Sequence, residues 1–519
     1  MKSKKIFLLS LFVILIQQFA SSKEVFYNVL DFGTKADGKT NCTASINSAI
    51  ETAAKNGGGT IYFPAGEYLS FTIHLKSNIS LYLDQGAVLI GDSEKNGVGY
   101  DLSEADAWYK KFQDFGHSYW QNSLIFGDSL KNVSIVGNGM IWGRGLYTYD
   151  KPDIKGSGNK SVALKNCTNV TIKDISILHG GHFCILATGV DNLTIDNVRA
   201  DADRDAFDID CCKNVVISNC IINSPTDDGL CLKSSYALGY ARPTENVTIK
   251  NCQVFGYDHG TVLDGTFKTE FRDEQPDARH SITGRLKLGT ESNGGFKNIT
   301  VSNCVFEHSR GLAIETADGG IIEDILIDNI TMRDITDTPF FIRLNARMRG
   351  PEGTPVGVCR RITLSNINVY DVGGRPKFPE IGAAMIMGIP GYYIEDLTLN
   401  NIRIYYRGGT SKEAINKDVP QNIDMYPDPY RWHSLPAYGM YFRYVKGLKV
   451  SVVVLRFINH DERPAFVLDD VHDAKFYHVD AQKNDGAPLF ILKNVTGFST
   501  HSVEGMEDVK FETVEKKVF

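Results

Sequence analysis

Residues 201–235 read DADRDAFDIDCCKNVVISNCIINSPTDDGLCLKSS, two acidic clusters flanking the strand-like segment NVVISNC. The first cluster holds Asp205, Asp208 and Asp210, the second the pair Asp227-Asp228. The segment recurs. Aligned on it, the chain gives Asn169 (NVTIKDI), Asn192 (NLTIDNV), Asn214, Asn246 (NVTIKNC), Asn298 (NITVSNC), Asp324 (DILIDNI), Arg361 (RITLSNI) and Asp396 (DLTLNNI) as equivalent starts. The shortest spacings are 23 residues, from 169 to 192, and 22, from 192 to 214. A period of that length with alternating apolar residues predicts a solenoid whose coils each contribute strands. The repeat is too short for a crossover helix, so the expected fold is all-β, a right-handed parallel β-helix.

The register then serves as a ruler, because residues at one offset stack about 4.8 Å apart in successive coils. At offset thirteen the column reads His182, Asp205, Asp227, His259 and Gly311. Stacked carboxylates repel and cost stability unless something uses them. This column, with Asp228 beside it, is the candidate site.

The chain begins MKSKKIFLLSLFVILIQQFASSKE, a basic start, an apolar run and small residues. That pattern predicts a signal peptide over 1–22, with an apolar run too short to span a bilayer. A secreted or periplasmic product follows. Losing Lys2, Lys4 and Lys5 takes the formal charge from −7 to −10, which disfavours nucleic acid and anionic membrane as partners. Among the ten cysteines, Cys220, Cys252 and Cys304 share a repeat offset with Val198, Ile330, Ile367 and Ile402, so they are expected to be buried thiols rather than bridges. Cys211 and Cys212 are adjacent and should face opposite sides of a strand.

One domain is expected over 23–519, probed in chain order by its departures from the repeat. Thr43 to Lys55 has Ile46, Ala49, Ile50 and Ala53 on one face, a helix that caps the open N-terminal end. Insertions fall near 96–122, 235–245, 261–288 and 408–437. The first is rich in rings (Trp108, Tyr109, Phe112, Phe115, Tyr119, Trp120), which either stack on sugars or anchor the loop, anchoring being the stronger reading. Asn197, Asn219, Asn251, Asn303, Asn329, Asn366 and Asn401 share offset five and predict an asparagine ladder, a structural feature.

Carboxylates facing a cleft suit glycosidic hydrolysis, one protonating the leaving oxygen while another activates water or attacks the sugar. Stacked, Asp205 and Asp227 should raise each other's pKa. The competing reading is a calcium site of Asp205, Asp208, Asp227 and Asp228, against which His259 in the column argues. The order DADRDAFDID, TDDGLCLKS, DHG on a β-helix period resembles glycoside hydrolase family 28, the polygalacturonases and rhamnogalacturonases, as do DFGTKADGKT and GGGTIYFPAGEY near the start. The resemblance implies Asp205 as catalytic aspartate, Asp227 as general acid, Asp228 as its partner on water, and His259 as the histidine of the third motif. It covers about Val25 to Asn401. A rival alignment through LGTESNGG puts Gly284 at that histidine. The family's Arg-Ile-Lys motif falls on Ala313-Ile314-Glu315, so the cations that grip a uronate are missing there. Arg204, Lys233, Arg285, Lys287, Arg310 and Arg343 are candidate replacements, and His182 joins them as a substrate contact.

The expected activity is thus an exo-acting, inverting pectic hydrolase cleaving a galacturonate-containing linkage, with no metal or cofactor, working as a monomer. Rhamnogalacturonan hydrolysis, a β-helix polysaccharide lyase and a non-catalytic carbohydrate-binding β-helix are the alternatives. Ultraviolet-absorbing products would mark a lyase. Sugar affinity that survives loss of the aspartates would mark a binding protein.

Overall fold

A computed structural model describes residues 25–519 except 96, 106, 114–115, 152–155, 157, 271–281 and 374–381. The expected signal peptide, residues 1–22, lies outside the described residues, as does Phe115. Each coil at the centre contributes three short parallel strands: Phe183–Thr188, Asp191–Asp196 and Arg199–Asp201 in one, then Asp205–Asp210, Lys213–Ser218 and Ile221–Asn223 in the next. From Phe296 onward the second and third strands run together, as in Phe296–Ser309 and Ile321–Ile335. Among the pairings of the described strands, only the last, of Lys510–Val518 on Phe490–Val503, is antiparallel. The parallel β-helix expected from the repeat is the observed fold.

Alternate strand residues point inward and form one apolar core that runs from Val29 to Val514. The expected helix is present as Thr43–Lys55, and its buried residues are Ile46, Ala49, Ile50 and Ala53. It covers the first coils, where an open strand edge would otherwise be exposed. No helix among the described residues is long and apolar enough to cross a membrane.

Asparagines clamp the coils at their turns. The offset-five amides bond coil to coil from Asn251 to Asn219 (3.2 Å), Asn303 to Asn251 (3.3 Å), Asn329 to Asn303 (2.8 Å) and Asn401 to Asn366 (2.7 Å). Aspartates accept at the remaining steps, from Asn197 to Asp174, Asn219 to Asp196 and Asn366 to Asp328. A second ladder was not foreseen: Asn169, Asn192, Asn214, Asn246 and Asn298, the repeat starts themselves, bond in series from Asn132. All five have φ between 52° and 59°, the left-handed region that asparagine tolerates better than other side chains with a Cβ.

The offset-thirteen column does not survive as a straight line. Phe183, not His182, pairs with Asp205, and the Phe207–Leu230 pairing puts Asp205 level with Asp228. Asp227 stands level with Arg204 and His182. Leu230 pairs with Leu286, so the coil after the acidic pair brings Gly284 level with Asp228, as the rival alignment has it. Gly311 stands level with Arg285. His259 belongs to the excursion between Gln253–Phe255 and Leu286–Ser292 rather than to a coil strand. The physical reason is that turns between strands differ by a residue or more, so a register counted along one strand slips on the next.

Cys220 stacks on Cys252 and Cys252 on Cys304, with Ile330, Ile367 and Ile402 continuing the row. All ten cysteines are buried and free. Cys212 joins the core, while Cys211 lies outside it with its thiol on Asp210 and the Ser235 carbonyl. Alkylation of the folded protein should therefore label none of the ten rapidly, and alkylation after unfolding without reductant should label all ten. A disulfide-linked peptide containing Cys220, Cys252 or Cys304 would refute the buried row.

Candidate active site

Asp205 opens the strand Asp205–Asp210, and Asp227-Asp228 closes the turn before Leu230–Ser234. Because coils stack, the three carboxylates converge on one outer face, with an oxygen of each within 4.8 Å of the others. Their environments differ sharply. Asp227 is about one-third exposed, with its carboxylate 3.1 Å from the Arg204 Nε. Asp205 is buried, 3.6 Å from the same Nε, and its Oδ1 has no hydrogen-bond partner. Asp228 is buried between cations, 2.5 Å from Arg285 Nε and 3.4 Å from Lys287 Nζ.

These surroundings set the charges. Burial, then the neighbouring Asp227, pushes the Asp205 carboxyl well above the usual carboxylate range, against a smaller pull from Arg204. Burial also penalises the Asp228 charge, but Arg285, Lys287 and Lys233 together outweigh it and hold this carboxyl below that range. Asp205 is therefore biased towards its neutral form, while Asp228 is held as a carboxylate. Arg285 and Lys287 already neutralise Asp228, so a calcium ion on these aspartates would compete with protein cations.

Arg204 is aimed by its neighbours. His182 is fully buried, its Nδ1 donating to the Thr148 carbonyl (2.6 Å) and its Nε2 accepting from Arg204 Nη1 (2.7 Å). Burial first, and then Arg204, drives the His182 pKa far down, so the ring is neutral and acts as an acceptor. The guanidinium also lies 5.3 Å from the Phe183 ring centroid. His182 is thus a positioning residue behind Arg204 rather than a substrate contact.

Other expected substrate cations are committed elsewhere. Lys233 pairs with Glu291 (3.1 Å) and approaches Asp208 (3.9 Å), which His117 of the first insertion also meets at 3.2 Å. Arg310 is held between Asp337 (2.6 Å) and Asp428 (2.5 Å). Arg343 donates to the backbone carbonyls of Gly388, Gln421 and Asn422, which ties the 408–437 insertion to the coil. Arg310 and Arg343 are both buried, Arg310 held on two carboxylates and Arg343 with its Nη groups on backbone carbonyls, so neither presents an exposed cation to substrate. His259 is likewise displaced from the expected column, with its Nδ1 3.2 Å from Asp203.

Two features were missed in the sequence. Tyr426, from the 408–437 insertion, reaches Lys287 with its hydroxyl at 2.9 Å. Ala313 stands level with Lys287, so the cation absent from position 313 is present one coil earlier in the same row. The i, i+2 spacing of Arg285 and Lys287 could have flagged this pair as neighbours on one strand face.

The insertions wall the face at both ends. Trp120 of the first packs with Ala163, Phe183, Leu186 and Ala237, and its indole donates to Thr188 Oγ1 at 3.0 Å. Trp108 and Phe112 meet Tyr236 of the second insertion edge-on, at 5.7 and 5.6 Å. The rings of the first insertion therefore anchor it, as the stronger reading had it. At the other end Trp432, Leu435 and Ala437 cover Ala313, Phe341, Met385 and Tyr441.

Residues 26–258 match the family model described as rhamnogalacturonase A/epimerase, pectate lyase-like. The chain is 24% identical over 435 residues to the "Probable polygalacturonase" of Vitis vinifera, spanning 79% of this chain and 81% of that protein. It is 26% identical over 392 residues to the exo-poly-alpha-D-galacturonosidase of Dickeya chrysanthemi, spanning 68% and 64%. Its fold matches the exopolygalacturonase of Thermotoga maritima, with a TM-score of 0.59 at 18% identity over 96% of both chains. It also matches the family 28 exopolygalacturonase of Yersinia enterocolitica, with a TM-score of 0.60 at 16% identity over 89% of this chain and 78% of that one.

The Asp228 arrangement has a measurable consequence. Its pKa is lower folded than unfolded, so the stability it contributes is present above the ordinary carboxylate range and is lost as pH falls below it. Arg285→Ala should leave a buried carboxylate held only by Lys287 and the more distant Lys233, and cost about 3 kcal/mol near neutral pH. Adding Asp228→Asn to that variant should recover part of the loss. Urea unfolding of the single and double variants checks both, and a double variant no more stable than Arg285→Ala would show that the pair is not coupled.

Proposed function

We propose that this glycosyl hydrolase, a homologue of glycoside hydrolase family 28, removes terminal sugars from a pectic chain at a galacturonate-containing linkage, with inversion. The observation that carries the reading is Asp205, a buried carboxyl with an unpartnered oxygen beside the open Asp227 and the ionised Asp228. A buried polar atom without a partner is costly, and binding water or substrate there relieves it.

In this mechanism Asp227, the accessible carboxyl beside Asp205, protonates the leaving oxygen with the proton that Asp205 holds. Asp228, fixed as a carboxylate, deprotonates the attacking water, which Asp205 helps to orient. The separation of the carboxylates is shorter than the roughly 6.5–9.5 Å usual for inversion. Retention, however, needs an ionised and unencumbered nucleophile. Asp228 has one oxygen at Arg285 and the other at Lys287, and Asp205 is biased towards its neutral form. Substrate entering between Asp227 and the buried pair would widen the gap. The apolar docking of insertions on both sides of the face flanks the carboxylates with covered surface, which favours terminal over mid-chain cleavage.

Rhamnogalacturonan hydrolysis is the second reading. Ala313 and buried Glu315 stand where the resemblance places uronate-gripping cations, so the sugar at that subsite need not be charged.

Asp205→Asn and Asp227→Asn should each lower kcat by several orders of magnitude while the protein stays folded; Asp228→Asn should lose activity and stability together, since it strips Arg285 and Lys287 of their partner. Full activity in all three would sink the assignment. Activity should fall as pH rises through loss of the Asp205 proton. Arg204→Ala removes a cation that favours the ionised form of Asp205, so this alkaline limb should move to higher pH even though the rate drops. A shift to lower pH would contradict that role for Asp205. Proton NMR of the first product from homogalacturonan and rhamnogalacturonan I fragments should show an inverted anomer and a single small sugar; a retained anomer or a ladder of oligosaccharides would exclude the mechanism or the exo mode.

A further inference from the structure

Outside the hydrolytic carboxylates, His179, Asp203 and His259 converge from three separate turns of the chain. We propose that they bind one divalent transition-metal ion of the zinc type. Both imidazoles address one oxygen: His179 Nδ1 lies 2.6 Å and His259 Nδ1 3.2 Å from Asp203 Oδ1. One ligand-capable atom from each residue falls within 4.8 Å of the others. Zinc bonds of about 2.0–2.1 Å in a tetrahedron place ligand atoms roughly 3.3 Å apart. The His259–Asp203 separation is already there, and the His179–Asp203 separation has to open by under about 1 Å.

The cluster has access and a stiff frame. Its side chains are 36%, 15% and 31% exposed for His179, Asp203 and His259, so an ion can enter and keep a water in the fourth position. Behind it, fully buried Asp201 accepts from the backbone N–H groups of Gly260, Val262 and Leu263 and from the Asn223 amide. Asn223 in turn brackets Tyr257 by both its N–H and its carbonyl. The loop carrying His259 is therefore held in place by backbone contacts that do not depend on the histidine.

A comparison within the molecule sharpens the point. His308 pairs with Asp334 at 2.5 Å in a later turn, a single buried imidazole on a single carboxylate. That is an internal latch. The His179–Asp203–His259 group adds a second imidazole and opens to solvent. Two imidazoles and one carboxylate suit zinc, cobalt or nickel, and are a poor set for calcium or magnesium, which take oxygen ligands. Asp203 immediately precedes Arg204, and its carbonyl accepts from the Thr226 hydroxyl next to Asp227. An ion here would fasten the 258–268 loop to the edge of the cleft.

The test uses tag-free protein stripped with a chelator. Calorimetric titration with Zn2+, and with Co2+ followed by its visible absorption, should show one saturable site per chain and a raised Tm. His179→Gln and His259→Gln should each weaken binding about tenfold or more, and His308→Gln should leave it unchanged. Anomalous scattering from Co2+-soaked crystals of the unaltered protein provides a readout that needs no variant, with a peak expected between the three residues. No saturable binding, binding indifferent to both glutamine variants, or a peak elsewhere overturns the proposal.

Discussion

The cleft depends on the grip of Arg285 and Lys287 on Asp228. Stacking coils at about 4.8 Å forces Asp205 and Asp228, which stand level in adjacent coils, into proximity away from water. Two buried carboxylates cannot both be ionised without compensation. The next coil supplies it on one side only: Asp228 receives the cations, while Asp205 keeps an oxygen without a partner. The result is an asymmetric pair, one carboxylate fixed as an anion and one carboxyl biased towards its neutral form. The repeat thus turns a uniform backbone into groups of different acidity by varying only which side chain each coil presents.

The same outer face explains the shape of the site. A solenoid left bare would offer a long groove, suited to binding the middle of a polymer. Here the face is apolar on both sides of the charged centre, and that surface is buried under inserted loops: Trp120 with Phe183 and Leu186 at one end, Trp432 and Leu435 with Phe341 and Met385 at the other. Burial of such side chains contributes roughly 1.5–3 kcal/mol each, enough to hold loops that carry little regular structure of their own. Arg343 adds a polar tether to the second loop through its Nη groups.

Much of this was legible in the sequence, and the part that was not has a common cause. The coil period, the capping helix over Thr43–Lys55 and the asparagine ladder all follow from regular alternation within strands, and all are present. The one-residue slip between Asp205 and Asp227 arose because the turns that join strands vary in length, so a count anchored at Asn192 and Asn214 does not carry over to the next strand. Loop destinations were less readable still. Nothing in DHG says that His259 would come to rest beside His179 and Asp203, and nothing in YPDPYRW says that Tyr426 would reach Lys287 or Asp428 would reach Arg310. Contacts between an insertion and a distant coil leave no periodic trace.

The displaced cations carry the argument about recognition one step further. Within a strand, residues two apart share a face, so an Arg-x-Lys pair is an interchangeable unit that any coil can bear. Placed at 313 and 315, as in the family that the motifs resemble, it would meet the substrate; borne at 285 and 287, it meets Asp228 instead. What remains at the vacated positions is small Ala313 and Glu315, whose carboxyl burial pushes up, with Lys287 and Arg285 opposing. A carboxyl in that place offers a charged uronate less than a guanidinium would. The replacement at 313 and 315 thus fits the second reading, a sugar at that position bound without cationic contacts, and it does so without altering the three aspartates.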